Sequence, residues 1–147
     1  MKGNRRGVLS IALSIAILVG AGLAGRAVAT PEEHHVVFEL TSDDPKSWEA
    51  LMNNVENVRK ALDHTSVEVV THGRGLSLLV RDRAGELTKR MEQAASDGVV
   101  FAACQNTMKR QKLTSKDLLP FAKQVDSGVA EIVRKQEAGW SYLHSGL

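Results

Sequence analysis

The sequence predicts an α/β domain in which helices cover a mainly parallel sheet. Short apolar runs alternate with segments of helical periodicity along most of the chain, which is the pattern of such folds. The run VVFAAC at 99–104 is apolar throughout, as in a central strand that is buried on both faces. The 147 residues include 43% hydrophobic and 24% charged residues, an ordinary composition for a globular domain.

Residues 1–29 predict a secretory signal that precedes the domain at 30–147. A basic start leads into an almost wholly apolar run at 8–24, and an A-x-A cleavage pattern then ends at Ala29. An uncleaved membrane anchor is the alternative, because the apolar run is at the lower edge of the roughly 17 to 25 residues that span a bilayer. We expect export to the periplasm, by the Sec route more readily than by the twin-arginine route.

The charge of the predicted mature chain argues against a nucleic-acid or membrane surface. The first 29 residues hold four basic and no acidic residues, so the whole-chain charge of +2 becomes −2, from 15 basic and 17 acidic residues. A basic patch is therefore not predicted. No group of cysteines and histidines has zinc spacing, and no cofactor is expected.

Residues 35–40 (HVVFEL) predict the first strand, and Asp43-Asp44-Pro45 predicts the start of the first helix. An Asp at the N-cap accepts hydrogen bonds from free N–H groups, and a Pro at the first helical position fixes φ. Apolar residues then recur at helical spacing and predict one buried stripe. Its members are Trp48, Leu51, Met52, Val55, Val58 and Leu62.

The middle of the chain predicts two strands and two helices, separated by polar breaks. In chain order these are a strand at 66–71, a short helix at 76–80, a helix at 84–96 and a strand at 99–104.

The last part of the chain predicts a short helix from 105 to about 112, a short strand at 123–126 and a final helix that Ser127 caps. The inward face of this final helix is predicted to hold Val129, Ile132 and Val133. An apolar tail follows, which we expect to be buried against another surface: Trp140, Tyr142 and Leu143.

Three loops are expected at the carboxyl edge of the sheet, where open parallel sheets bind ligands. They are His72-Gly73-Arg74-Gly75, Cys104-Gln105-Asn106-Thr107 and Asp126-Ser127-Gly128. The first loop could bind an anion through its glycines and its arginine, although a plain strand-to-helix turn is the commoner reason for such glycines. The third loop is interpreted first as a helix cap.

Cys104 is the only cysteine of the chain, so it cannot form an internal disulfide. It ends a buried strand and precedes a helix, whose free N–H groups favour the thiolate, and Lys109 and Arg110 could add to this effect. A thiolate is the species that attacks or accepts sulfur. Packing is the alternative, since most cysteines are buried as small hydrophobic residues. His72 could orient or deprotonate Cys104 if their strands are neighbours.

Three segments carry a resemblance to a known family: HGRGLSLL after the second strand, VVFAACQNTMKRQ at the third, and VDSGVAEIVRKQEAGWSYL near the end. They resemble the DsrE/DsrF-like superfamily, in particular its small, exported, single-domain branch, over about residues 35–143. The resemblance implies a three-layer α/β sandwich with a mainly parallel sheet of about four to five strands, assembled as a homotrimer or homohexamer. It also implies sulfur chemistry, because sulfur-relay members, similar to TusD and DsrE, carry a persulfide on a cysteine that corresponds to Cys104.

We therefore expect a periplasmic sulfur-handling protein that carries sulfane sulfur on Cys104 and exchanges it with a donor or acceptor protein, as a carrier without ordinary turnover. The expected binding residues are His72, Gly73, Arg74, Gly75, Asn106, Thr107, Ser127 and Gly128. One alternative is a non-catalytic, oligomeric module that binds a small anion or acts as a scaffold, in which Cys104 only packs. Another is a redox sensor in which Cys104 forms a disulfide with a second subunit or a partner.

Overall fold

Five strands, all parallel, form the central sheet in the residues that the computed structural model describes, 32–145. In chain order the elements are β1 (His34–Leu40), α1 (Pro45–Ala61), β2 (Thr65–Thr71), α2 (Leu87–Ser96), β3 (Val100–Cys104), α3 (Gln105–Gln111), β4 (Lys123–Val125), α4 (Gly128–Glu137) and β5 (Ser141–Ser145). Short 3-10 helices occupy Gly73–Leu79 and Ser115–Asp117. The strand order is β4-β3-β2-β1-β5.

The predicted signal at 1–29 lies outside the described residues. Between residues 32 and 145, no helix combines the length and the apolar character that crossing a bilayer requires. The four strands that the sequence predicted lie within one residue of their predicted ends, and the fifth strand, β5, is formed by the predicted apolar tail.

The sheet is the middle of three layers, as the resemblance implied. On one face, here called the α1 face, α1, α2, α3 and the first 3-10 helix bury the larger hydrophobic core. On the other, here called the α4 face, Val37, Val70 and Ala102 pack against Ile132 of α4. Because side chains alternate between the faces of a strand, Cys104 lies on the α4 face, two residues after Ala102.

The first helix begins where the sequence predicted. The Asp44 carboxylate accepts a hydrogen bond of 3.0 Å from the Lys46 N–H, and Pro45 occupies the first helical position. The predicted stripe is buried as far as Val55. Leu62 is an exception, because α1 ends at Ala61 and Leu62 is 37% exposed.

Two predicted helix starts in the middle of the chain were wrong. The helix predicted at 84–96 begins only at Leu87, because Gly85 has a φ of +55°, which an α-helix does not accommodate. The short helix predicted at 76–80 is instead a 3-10 helix that starts at Gly73, directly after β2. Gly75 therefore belongs to this helix, where it lies against the backbone of Leu40.

The predicted inward face of the last helix was also partly wrong. Ile132 is buried, but Val129 is 58% exposed and Val133 is 47% exposed. The helix turns Gly128 and Ile132, one turn apart, toward the sheet, so residues 129 and 133 lie on its flank.

The apolar tail is only partly buried within the chain. Trp140 is half-buried, and the Lys135 ammonium lies 4.1 Å from the centroid of its ring. As part of an edge strand, however, Tyr142 remains 38% exposed and Leu143 44% exposed. The expectation that the whole tail is covered is therefore not met by residues of the same chain.

We expect Gly75→Ala to destabilise the fold by about 3 kcal/mol, at the upper end of the cost of overpacking. A Cβ at residue 75 would lie 2.2 Å from the Leu40 carbonyl oxygen, and Leu40 is held in the sheet by β2 on one side and β5 on the other. Gly85→Ala is the control, since residue 85 has a positive φ but open space around it, and we expect it to cost only about 1 kcal/mol. Urea denaturation measures both losses, and equal losses would contradict the close contact.

Candidate functional site

The three predicted loops do meet at the carboxyl edge of the sheet. The Gly73 N–H donates a hydrogen bond of 3.1 Å to the Thr107 hydroxyl, which joins the first loop to the second. A Cβ placed on Gly128 would lie 3.1 Å from the His72 Cβ and 3.3 Å from the Cys104 Cβ. The third loop therefore touches the other two at a residue without a side chain.

The register of the sheet brings His72 beside Cys104. Strands β2 and β3 are neighbours, and their ladder pairs Val70 with Ala102 and Thr71 with Ala103. His72 continues the extended backbone of β2, with φ −149° and ψ 174°, so its side chain falls on the α4 face next to that of Cys104. The condition on which a role for His72 beside Cys104 depended, that the two strands are neighbours, is thus met.

Cys104 is only 4% exposed, yet its sulfur is surrounded by hydrogen-bond donors. Burial by itself raises the pKa of the Cys104 thiol. The nearby donor groups, which are the Gly128 N–H, the Thr107 hydroxyl, and the N–H groups of Thr107 and Asn106, lower it and outweigh the burial. The net pKa lies below the ordinary value, because all of these donors stabilise a negative sulfur.

The Thr107 hydroxyl is oriented by its other contacts. Its oxygen accepts from the Gly73 N–H at 3.1 Å and from Arg110 Nη2 at 3.3 Å. Because these two hydrogen bonds use both lone pairs of the hydroxyl oxygen, its proton is available to donate to Cys104. Arg110 therefore acts on the thiol through Thr107, whereas the sequence suggested a direct effect of its charge.

His72 is held by a carboxylate that the sequence did not predict. Its Nε2 lies 2.6 Å from Glu39 Oε1, and both side chains are largely buried. The other carboxylate oxygen of Glu39 accepts from the Tyr142 hydroxyl and lies 3.2 Å from His144 Nδ1. The one sequence signal for Glu39 is that it is the only acidic residue in an otherwise apolar stretch of the first strand.

The pKa values of Glu39 and Tyr142 are shifted in opposite directions by their contact. Burial raises the pKa of Glu39, but the hydrogen bonds from Tyr142, His72 and His144 lower it, with a net decrease. The hydrogen bond to Glu39, together with burial, raises the pKa of Tyr142 to about 12. Glu39 is therefore an ionised acceptor around which three neutral or positive donors converge.

Other predicted site residues have structural contacts. Arg74 is exposed, and its Nε lies 3.7 Å from the Asp43 carboxylate, away from Cys104. Gly73 has a φ of +56°, which favours glycine. The Ser127 hydroxyl accepts from the Ala130 N–H at 3.4 Å, as a helix cap does. Anion binding by these residues stays a prediction.

The described part of the chain holds no group of three or more histidine, cysteine, aspartate or glutamate side chains placed to bind a metal ion.

We expect Thr107→Val to slow alkylation of Cys104 by about tenfold at a pH below the midpoint of its titration. The variant keeps the shape of the side chain but removes one hydrogen bond to the charged sulfur, a loss of about 1.5–3 kcal/mol. Thr88→Val, on the α2 helix, is the control and should leave the rate unchanged. The rate with iodoacetamide measures the effect, and equal rates for both variants would refute the role of the hydroxyl.

We expect Tyr142 to remain un-ionised at about pH 11, one unit above the ordinary tyrosine value. Tyr142 is the only tyrosine of the chain, so the ultraviolet absorbance of tyrosinate reports on it alone. Glu39→Gln removes the negative charge and should allow ionisation at that pH, while circular dichroism confirms that the fold persists. Tyrosinate at that pH in the unchanged, folded protein would show that the bond to Glu39 is absent.

Comparisons with known proteins agree with the fold. The model of the DsrE/DsrF-like family matches residues 35–144. A solved structure of a protein of unknown function from Methanobacterium thermoautotrophicum, MTH1491, is 35% identical, with a TM-score of 0.73, covering 76% of this chain and 99% of that one. A second protein of unknown function, BT1422 from Bacteroides thetaiotaomicron, is 13% identical with a TM-score of 0.60, covering 75% of this chain and 93% of that one, and supports the fold alone. No curated protein matches.

The family match spans most of the chain, including all five strands in whole or in large part. Family membership suggests a function like that of sulfur-relay proteins. The chain belongs to the DsrE/DsrF-like family.

Proposed function

We propose that this protein is a periplasmic sulfur carrier that holds sulfane sulfur as a persulfide on Cys104. The observation that carries the proposal is the set of donors around the thiol, from Gly128, Thr107 and Asn106. These donors favour the thiolate, which is the nucleophile in sulfur exchange. A cysteine that only packs would need no such donors, because a thiol is a weak hydrogen-bonding group.

Loading of the carrier requires no oxidant. The Cys104 thiolate attacks the outer sulfur of a donor persulfide or polysulfide, and a new S–S bond forms. The S–S bond of the donor breaks, and its electron pair leaves with the inner sulfur as a thiolate. The product on Cys104 is a persulfide anion, which the same N–H and O–H groups stabilise.

Unloading is the same reaction in reverse. An acceptor thiolate attacks the outer sulfur, and Cys104 leaves as a thiolate. A thiol with a low pKa is a good leaving group, so the donors that assist loading also assist release. A carrier needs this balance, since a persulfide that is held too tightly cannot be transferred.

Export and assembly are part of the proposal. The pattern of residues 1–29 supports delivery to the periplasm. A homotrimer or homohexamer is supported by large apolar side chains that stay exposed on one chain, since such side chains commonly lie in interfaces. They are Val129, Val133, Tyr142 and Leu143. A sulfur donor or acceptor protein would be a further partner.

Intact-mass spectrometry of residues 30–147 after exposure to polysulfide tests the proposal. We expect a gain of one sulfur atom that dithiothreitol reverses, because Cys104 is the only cysteine. Cys104→Ser should fold, as judged by circular dichroism, and should gain nothing.

The opposite result would favour a non-catalytic, oligomeric scaffold or anion-binding module. The observation on its side is that Cys104 is 4% exposed, as buried as many packing residues. In that case no adduct would form, and Cys104 would react with iodoacetamide only after denaturation.

A further inference from the structure

The two oxygens of the Glu39 carboxylate face different parts of the molecule. Oε2 accepts from Tyr142 and His144, both on the edge strand β5. Oε1 lies 2.6 Å from His72, at the end of β2. Through Oε2, the carboxylate of Glu39 connects β1 to the edge strand β5. Its contact with His72 through Oε1 is a second, separate interaction of the same group.

The contact with Glu39 decides which nitrogen of His72 carries a proton. An ionised carboxylate only accepts hydrogen bonds, so Nε2 is the protonated nitrogen that donates to it. Nδ1 is then the ring nitrogen that does not contact Glu39.

The ring of His72 is held from a second side by α4. A Cβ at residue 128 would lie 3.3 Å from the ring atom Cδ2 and 3.3 Å from the Cys104 Cβ. The ring is thus placed between Glu39 and Gly128, the residue whose N–H donates to the thiol.

Few charged groups face His72. Glu39 on β1 contacts it directly, while Tyr142 and His144 on β5 act through Glu39. Cys104 on β3 is its neighbour, and Gly128 of α4 lies against its ring.

Two arginines lie nearby but have other contacts. Arg110 on α3 is bound to Thr107, and Arg74 pairs with Asp43. Glu39 is therefore the charged side chain that contacts His72 directly.

We infer, on the basis of the proposed carrier function, that Glu39 positions His72 to protonate the thiol that leaves the sulfur donor. As Cys104 attacks the outer sulfur, the electron pair of the breaking S–S bond moves onto the inner sulfur. The Nδ1 proton of the imidazolium passes to that sulfur, which departs as a neutral thiol, and His72 regains a proton from solvent. His72 is the proton donor and Glu39 is a positioning residue.

Protonation of the leaving group by His72 speeds sulfur transfer from some sulfur donors more than from others. An alkyl persulfide, such as cysteine persulfide, releases a thiol with a pKa of about 8.5, which gains from protonation as it leaves. An inorganic polysulfide releases a weakly basic anion, which gains little. The site therefore suits sulfur delivered from the cysteine of a protein or small molecule.

Three rates measured on the mature chain test the inference: loading from cysteine persulfide, loading from inorganic polysulfide, and alkylation by iodoacetamide. We expect Glu39→Gln and His72→Gln each to slow the first rate at least about tenfold more than they slow the other two. Glu49→Gln, an exposed carboxylate on α1, is the matched control.

The outcomes separate the inference from the proposed function. If Glu39→Gln slows all three rates equally, Glu39 has a structural role only and the inference is wrong. If it slows none of the three rates, the inference is also wrong. The proposed carrier function is still supported in that case, because the unchanged protein loads with sulfur. Failure of the unchanged protein to load from either donor would overturn the proposed function and this inference with it.

Discussion

The close approach of Gly128 to the ends of β2 and β3 is the constraint on which the site depends. A side chain at residue 128 would press against both His72 and Cys104. Because residue 128 is a glycine, the first N–H of α4 can reach the sulfur. The same contact fixes the flank of α4 that turns toward the sheet. Gly128 thus links the packing of the α4 face to the chemistry of the thiol.

Cys104 is subject to two opposing effects. Burial disfavours a charged sulfur, and four hydrogen-bond donors favour it. The donors prevail because they are backbone N–H groups and an oriented hydroxyl, which are already in place before the thiol ionises. A buried site with fixed donors would exclude water from the proposed persulfide and still hold its charge, as a carrier between two partners requires.

The sequence predicted those features that depend on local patterns. The apolar third strand, the Asp44 cap and the Ser127 cap were all recognised, because each depends on a few neighbouring residues. Placement of the three loops at one edge followed from the parallel sheet. The start of α2 was missed because one positive φ at Gly85 overrides a helical pattern.

Long-range features of the site could not be predicted in the same way. Glu39 and Tyr142 are 103 residues apart, and only the order of the strands brings them together. The exposure of Val129 and Val133 depends on which flank of α4 meets the sheet, and the helical spacing alone allowed either.

Titration of the Cys104 thiol in the folded mature protein, by the pH dependence of alkylation, tests most directly whether the surrounding donors hold it as a thiolate. Unfolding the same protein in denaturant provides the reference. We expect the midpoint in the folded protein to lie below that of the unfolded chain. A folded midpoint at or above the unfolded one would mean that burial prevails, and that Cys104 is a packing residue.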